Sequence, residues 1–233
     1  MESPENKDIS KFYDDYTAHQ KKIGVNIRHR TILKNLKKNG LRPDSRVLEV
    51  GCGIGSVTQL IARYCSRGRV VAVDISPKSI DIAKKLHKNL RNIEFLVSDM
   101  SDFSHQVKFD FVVLPDVLEH IPVENHRHLF RIIRDCTHPD STVFINIPDP
   151  RYLKWVQKHR PDLLQVIDQA LSTDELLNNI YPNDFYLVSL NTYSLGVKEG
   201  DYQCLVLKRN KELDRVTYKS KMEKVVQEIK SRL

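Results

Sequence analysis

The stretch Val47-Leu48-Glu49-Val50-Gly51-Cys52-Gly53-Ile54-Gly55 decides the fold. It begins as a short, mainly apolar run, which predicts a buried strand. It ends in glycines at alternate positions, and Ser56 to Ala62 then takes up helical periodicity. Strand, glycine turn and helix, in that order, is how an α/β sheet holds a nucleotide-like ligand. Glycine permits the tight turn and lets a ligand lie on bare backbone, and the helix start adds N–H groups without intrahelical partners. The spacing is G-x-G-x-G, with Ser56 where a dinucleotide fingerprint has its third glycine, which argues against a dinucleotide-dependent oxidoreductase. Glu49 stands two positions before the first glycine.

Composition bounds what surrounds this turn. The 233 residues fit one α/β domain with additions, and 40% hydrophobic with 29% charged residues suits a globular core. No apolar run approaches the roughly 20 residues that span a bilayer. Residues Met1 to Asp8 are polar and acidic, unlike a signal peptide. Cys52, Cys65, Cys136 and Cys204 lack C-x-x-C spacing, which predicts reduced thiols and a cytoplasmic location rather than a disulfide frame or zinc site. The net charge of +7 permits a nucleic-acid partner. No basic run interleaved with aromatics appears, however, so such a partner is not expected.

Further strands follow at regular intervals. Val70 to Asp74 reads as a strand buried on both faces, and its terminal Asp74 can accept both hydroxyls of a ribose. The competing role, capping the next helix, is already filled by Ser76-Pro77. Ile93 to Val97 is the third strand and runs into Ser98-Asp99-Met100; Phe109 to Leu114 is the fourth, followed by Pro115-Asp116-Val117-Leu118-Glu119-His120. Thr142 to Pro148 is the fifth, and Phe185 to Leu195 with Gln203 to Lys208 are two closing strands joined by a short turn.

Together these segments resemble the class I S-adenosylmethionine-dependent methyltransferases, and Glu49 with its alternating glycines resembles their first motif. The resemblance covers most of the chain. It implies an α/β fold, a Rossmann-like doubly wound seven-stranded sheet in a single domain over residues 1–233. To this it adds an N-terminal helical lid (1–40), a helical insertion after strand five (149–183) and a C-terminal helix (211–233). It implies a cofactor site for S-adenosylmethionine made by Glu49, Gly51, Cys52, Gly53 and Gly55, by Asp74 and Ile75, by Ser98, Asp99 and Met100, and by Pro115. Asp99 would accept from the adenine amine; its alternative is a turn cap.

The segment after strand four resembles the LEH form of small-molecule methyltransferases, not the N-P-P-Y form of many nucleic-acid and amide N-methyltransferases. That implies a small-molecule acceptor, with a hydroxyl oxygen expected. His120 is the candidate general base, since imidazole titrates near neutral pH; an orienting role is its alternative. Tyr13, Tyr16 and His29 of the lid, and Trp155 of the insertion, are candidate acceptor contacts, although aromatic stripes of this kind also pack helices onto sheets. A metal-dependent mechanism is not expected: Asp116 and Asp149 offer no secure third ligand. An RNA or protein methyltransferase and a silent regulatory binder remain as rivals. The chain is expected to be a monomer or homodimer, with the insertion read either as a pocket cover or as a dimer surface. The C-terminal stripe Leu213, Val216, Met222, Val225, Val226 and Ile229 lacks the tryptophan and phenylalanine of a membrane-surface helix.

Overall fold

In the computed structural model, which describes residues 24–165, 167–211 and 216–231, alternate residues of each central strand feed two separate apolar layers. Leu48, Val50, Val71, Val73, Val112 and Leu114 enter one layer; Val47, Val70, Ala72, Phe111 and Val113 enter the other. A period of two does this whenever both faces of a sheet are covered.

The strands are β1 (Arg46–Val50), β2 (Arg69–Asp74), β3 (Ile93–Val97), β4 (Phe109–Pro115), β5 (Thr137–Pro148), β6 (Phe185–Tyr193) and β7 (Tyr202–Arg209). They form one sheet in the order β3-β2-β1-β4-β5-β7-β6. The pairs from β3 across to β5 are parallel, and β7 runs antiparallel between β5 and β6. Strand order reverses direction between β1 and β4, the switch point at which open α/β sheets leave a ligand crevice beyond their carboxyl ends.

Seven α-helices are described: α1 (Ile27–Lys38), α2 (Thr58–Tyr64), α3 (Pro77–Leu86), α4 (Val123–Asp135), α5 (Pro150–His159), α6 (Thr173–Ile180) and α7 (Lys221–Ser231). Ile32 and Leu36 of α1, Ile61 of α2 and Ile80 of α3 pack the face of Val47. Phe130 and Ile133 of α4, with Leu176 and Ile180 of α6, pack the face of Leu48. The doubly wound sheet expected from the sequence is therefore present. Phe130 is fully buried, and its truncation to alanine would cost about 3–5 kcal/mol. No helix of the described residues is long and apolar enough to cross a membrane.

Three boundaries differ from the sequence reading. The C-terminal helix starts at Lys221, not Lys211. Ser220 and Glu223 form its cap, Ser220 N–H donating to the Glu223 carboxylate at 2.8 Å and Glu223 N–H to Ser220 Oγ at 3.3 Å. Leu213 lies outside the described residues, and the other stripe residues are exposed. Strand β6 ends at Tyr193, because the Asp201 carboxylate takes the N–H groups of Leu195 and Gly196 at 2.7 and 2.8 Å into a turn. Strand β5 begins at Thr137, across a register shift between Phe109 and Phe111. A second shift, between Leu187 and Ser189, bends the outermost strand β6 at the half-exposed Val188. Of the expected lid, α1 is described; Tyr13 and Tyr16 lie outside the described residues.

Candidate active site

The glycine turn leaves β1 through two bonds to the neighbouring strand: Gly51 N–H and Cys52 N–H both donate to Val73 O at 2.9 Å. Gly51, Gly53 and Gly55 have φ of 73°, 52° and 84°, the left-handed region that costs a residue with a Cβ. The space is closed as well. A Cβ on Gly51 would lie 2.6 Å from Val117 Cγ2, and one on Gly55 would lie 2.8 Å from the His87 ring. His87 is itself fixed by the Ile54 carbonyl at 3.0 Å. It was not anticipated, because a histidine on a surface helix gives no sequence signal of packing against a turn.

Two acids flank the turn. Asp74 is buried; its Oδ2 accepts Gly53 N–H at 2.7 Å and its Oδ1 accepts Ser76 N–H at 2.9 Å. Ser76 caps α3 as expected, taking Ser79 N–H at 2.9 Å. Glu49 is wholly buried on the face of α2, and burial pushes its carboxyl up to about 8, with the Asp74 charge adding to the effect. The Thr58 hydroxyl beside it offsets part of that cost. Neither Glu49 nor Thr58, however, makes a hydrogen bond of ordinary geometry among the described residues. A buried carboxyl without a partner is costly, and it is suited to a cationic or hydrogen-donating ligand group at the turn.

At the other strand ends, Asp99 Oδ1 accepts both Ser101 N–H and Ser101 Oγ–H, at 2.9 and 2.7 Å, so it does cap a turn. Ser98 Oγ takes Met100 N–H at 3.0 Å, and Met100 is buried with φ of 65°. Ile75 is half-buried, and Cys52 and Pro115 are buried. Burial raises the Cys52 thiol well above its ordinary range, which keeps it an unreactive thiol.

Beyond β4 lies a polar network that the sequence did not reveal. Asp116, at φ of 56°, donates its N–H to Asn146 O at 2.7 Å and accepts from Asn146 Nδ2 at 2.8 Å. Tyr193 donates to Asn146 Oδ1 at 2.6 Å. Arg28 of α1 pairs with Asp116 Oδ2 at 3.1 Å and donates to Tyr202 Oη at 3.0 Å. The Asp116 charge holds the guanidinium firmly ionised, while burial pushes the Tyr202 phenol up to about 12. Arg28 thus ties α1 to the carboxyl end of β4 and the amino end of the antiparallel β7.

His120 sits on a single 3-10 turn, Leu118–His120. His126 pins that turn from below, its Nε2–H reaching the carbonyls of Leu118 and Ile121 at 3.1 and 2.9 Å. From above it is held by the irregular chain between α5 and α6. Gln169 donates its N–H to Glu119 O at 3.0 Å and its Nε2 to Ile121 O at 2.7 Å. His120 Nδ1 lies 2.5 Å from Ile167 O and 3.3 Å from Asp168 Oδ1, while Nε2 is 3.9 Å from Glu119 Oε1. A carbonyl carries no proton, so the hydrogen of the first contact belongs to Nδ1. Glu119 is buried, and burial followed by the charge of Asp116 pushes its acid far up.

Two expected acceptor contacts have other placements. His29 Nδ1 accepts Asn26 N–H while Asn26 Oδ1 accepts His29 N–H, both at 3.2 Å, closing a capping box at the start of α1. Burial and Arg28 lower this imidazole to about 4. Trp155 is half-exposed and stacks between Tyr152 and His159 along α5. The face of α5 that meets the His120 region carries Gln157 instead, which donates to Asp168 O at 2.7 Å. Residues two apart on a helix do not share a face, so His120 and Trp155 are not brought together. Asp149 caps α5 through Arg151 N–H at 2.9 Å and pairs with Arg151.

The family model described as a methyltransferase domain matches residues 47–140, from the glycine turn's strand into β5. This span is a methyltransferase domain. Nodulation protein S of Sinorhizobium fredii is 33% identical over 94 residues, 40% of this chain and 42% of that protein. The magnesium-protoporphyrin O-methyltransferase of Rhodobacter capsulatus is 38% identical over 122 residues, 50% of this chain and 52% of that protein. The chain thus spans about half the length of these relatives. The crystal structure of magnesium protoporphyrin IX methyltransferase from Synechocystis PCC 6803 with bound SAH superposes with a TM-score of 0.62, covering 84% of this chain and 85% of that one. At 18% identity that likeness shows a common fold. The methyltransferase domain holds every glycine and acid of the turn; the chain that clamps His120 lies outside it.

Proposed function

We propose that this chain is an S-adenosylmethionine-dependent methyltransferase acting on a small-molecule hydroxyl. The observation that carries the reading is the left-handed glycine turn bonded to Asp74 at the sheet's switch point. The residues fit the cofactor. Three glycines leave bare backbone, Glu49 offers a buried carboxyl without a hydrogen-bond partner among the described residues, and Asp74 stands where a ribose is held. Bound S-adenosylmethionine supplies the methyl group, the carbon–sulfur pair staying on sulfur as a neutral thioether. Holding acceptor and methyl group in line provides much of the acceleration. His120 takes the hydroxyl proton on Nε2 and returns it to solvent, a role worth roughly 10²–10⁴-fold.

Calorimetric titration with S-adenosylmethionine, S-adenosylhomocysteine and NAD tests the cofactor; saturable NAD binding with no response to the other two would overturn it. A screen of hydroxylated metabolites then tests the acceptor class. His120→Ala is expected to lose roughly 10²–10⁴-fold in turnover with little change in cofactor affinity.

A further inference from the structure

Asp168 belongs to neither the glycine turn nor the matched domain, yet its carboxylate lies against His120. Its side chain is 10% exposed and reaches His120 Nδ1 with Oδ1 at 3.3 Å. Its other oxygen takes Gln165 N–H at 2.5 Å, and its carbonyl holds Gln157 Nε2 at 2.7 Å. Anchored at these points, the carboxylate has one orientation. The charged groups facing the imidazole among the described residues are Asp168 and, at 3.9 Å, Glu119. Glu119 is the more distant of the two, and burial pushes its acid well above the usual carboxylate range, so the nearer carboxylate, Asp168 at 3.3 Å, is the group set against the ring.

We propose that Asp168 is the positioning residue for His120. With the Ile167 carbonyl it keeps the hydrogen on Nδ1, so that the lone pair is on Nε2, and its charge stabilises the imidazolium formed when Nε2 takes the acceptor's proton. The kinetic part rests on His120 being the base. Asp168 is neither consumed nor protonated; the proton enters and leaves through Nε2. The chain between α5 and α6 is thereby part of the machinery as well as a cover over it.

Asp168→Asn retains an oxygen for Gln165 N–H but loses the charge. Its turnover is expected to fall at least about tenfold, and at most by the roughly 10⁴-fold lost when a triad aspartate that orients its histidine becomes asparagine, with the Michaelis constant for S-adenosylmethionine unchanged. A nearby carboxylate favours the imidazolium, so removing it moves the rising limb of the pH–rate profile to lower pH. Asp168→Glu should restore part of both. NMR titration of the His120 ring, assigned by its loss in His120→Ala, should show the same downward movement without any acceptor. Unmoved His120 titration in a folded Asp168→Asn protein overturns the proposal. If His120→Ala keeps wild-type turnover, the base assignment falls instead, and the NMR titration alone still decides whether Asp168 holds the ring.

Discussion

Asp74 Oδ2 accepts the backbone N–H of Gly53 at 2.7 Å, so the end of β2 and the middle of the glycine turn move as one piece. Asp74→Ala breaks that tie and removes the carboxylate expected to meet the ribose. Charge-assisted hydrogen bonds are worth about 1.5–3 kcal/mol each. Cofactor affinity, read by calorimetry, should fall at least about tenfold while far-UV circular dichroism is retained. Unchanged affinity would restrict Asp74 to shaping the turn.

Glu49 predicts an opposition between stability and binding. Its carboxyl titrates near 8 in the folded protein against an ordinary 4.5. Between those values the folded protein keeps a proton that the unfolded chain releases. The contribution to stability is full below 4.5 and is lost as pH rises towards 8. Glu49→Gln should flatten this loss, gaining on the order of 2–4 kcal/mol relative to wild type across the window, and should bind S-adenosylmethionine more weakly. Denaturant melts at pH 5 and pH 8 without ligand, paired with titrations at the same pH values, check both halves.

Gly51→Ala meets two separate penalties, φ of 73° and the side chain of Val117. The first costs roughly 1–2 kcal/mol; the second depends on how far Val117 can yield. Pairing Gly51→Ala with Val117→Ala should recover the steric part and leave the backbone part, a coupling that a double-mutant cycle measures. Strict additivity would show that Val117 is not what closes the turn.

His29 is predicted to act through the capping box. Its imidazole titrates near 4 when folded against an ordinary 6.5, so its contribution is present above 6.5 and is lost as pH falls towards 4. Gln at the same position can keep the reciprocal bond to Asn26. His29→Gln should therefore preserve wild-type turnover and show a smaller drop in melting temperature between pH 7 and pH 4.5. A large rise in the acceptor's Michaelis constant in that variant would return His29 to the acceptor site.

The sheet was legible because each of its parts has a local signature. Buried parallel strands read as apolar runs, left-handed turns as glycines, and strand-end acids stand out against such runs. The clamp on His120 was not legible, for a physical reason. Among the described residues, the segment from Leu164 to Ser172 carries no helix or strand, and its hold on the turn uses the backbone carbonyls of Glu119, Ile121 and Ile167, which every residue possesses. Asn146, Tyr193 and Tyr202 met only once an antiparallel strand had been laid beside β5, a non-local event. Two caps do have a local signature: Ser220 with Glu223 spells a helix start, and Asn26 with His29 has the spacing of a capping pair. Trp155 is expected at the acceptor because insertions after strand five often cover the pocket in the resembling family; on α5 it is half-exposed, whereas Leu153 and Val156 are buried.

The bend at Val188 matters for how this molecule meets its own copies. Strand β6 closes one side of the sheet, and an outermost strand offers a row of backbone donors and acceptors to any passing chain. With Tyr186 and Val188 half-exposed beside that row, a straight β6 would invite end-to-end stacking of sheets. The extra residue spoils the regular spacing such stacking requires. Deleting Val188 would keep Ser189 opposite Val206 and Leu190 opposite Leu205 while removing the bulge, and the straightened margin should make the protein more prone to aggregate through this strand.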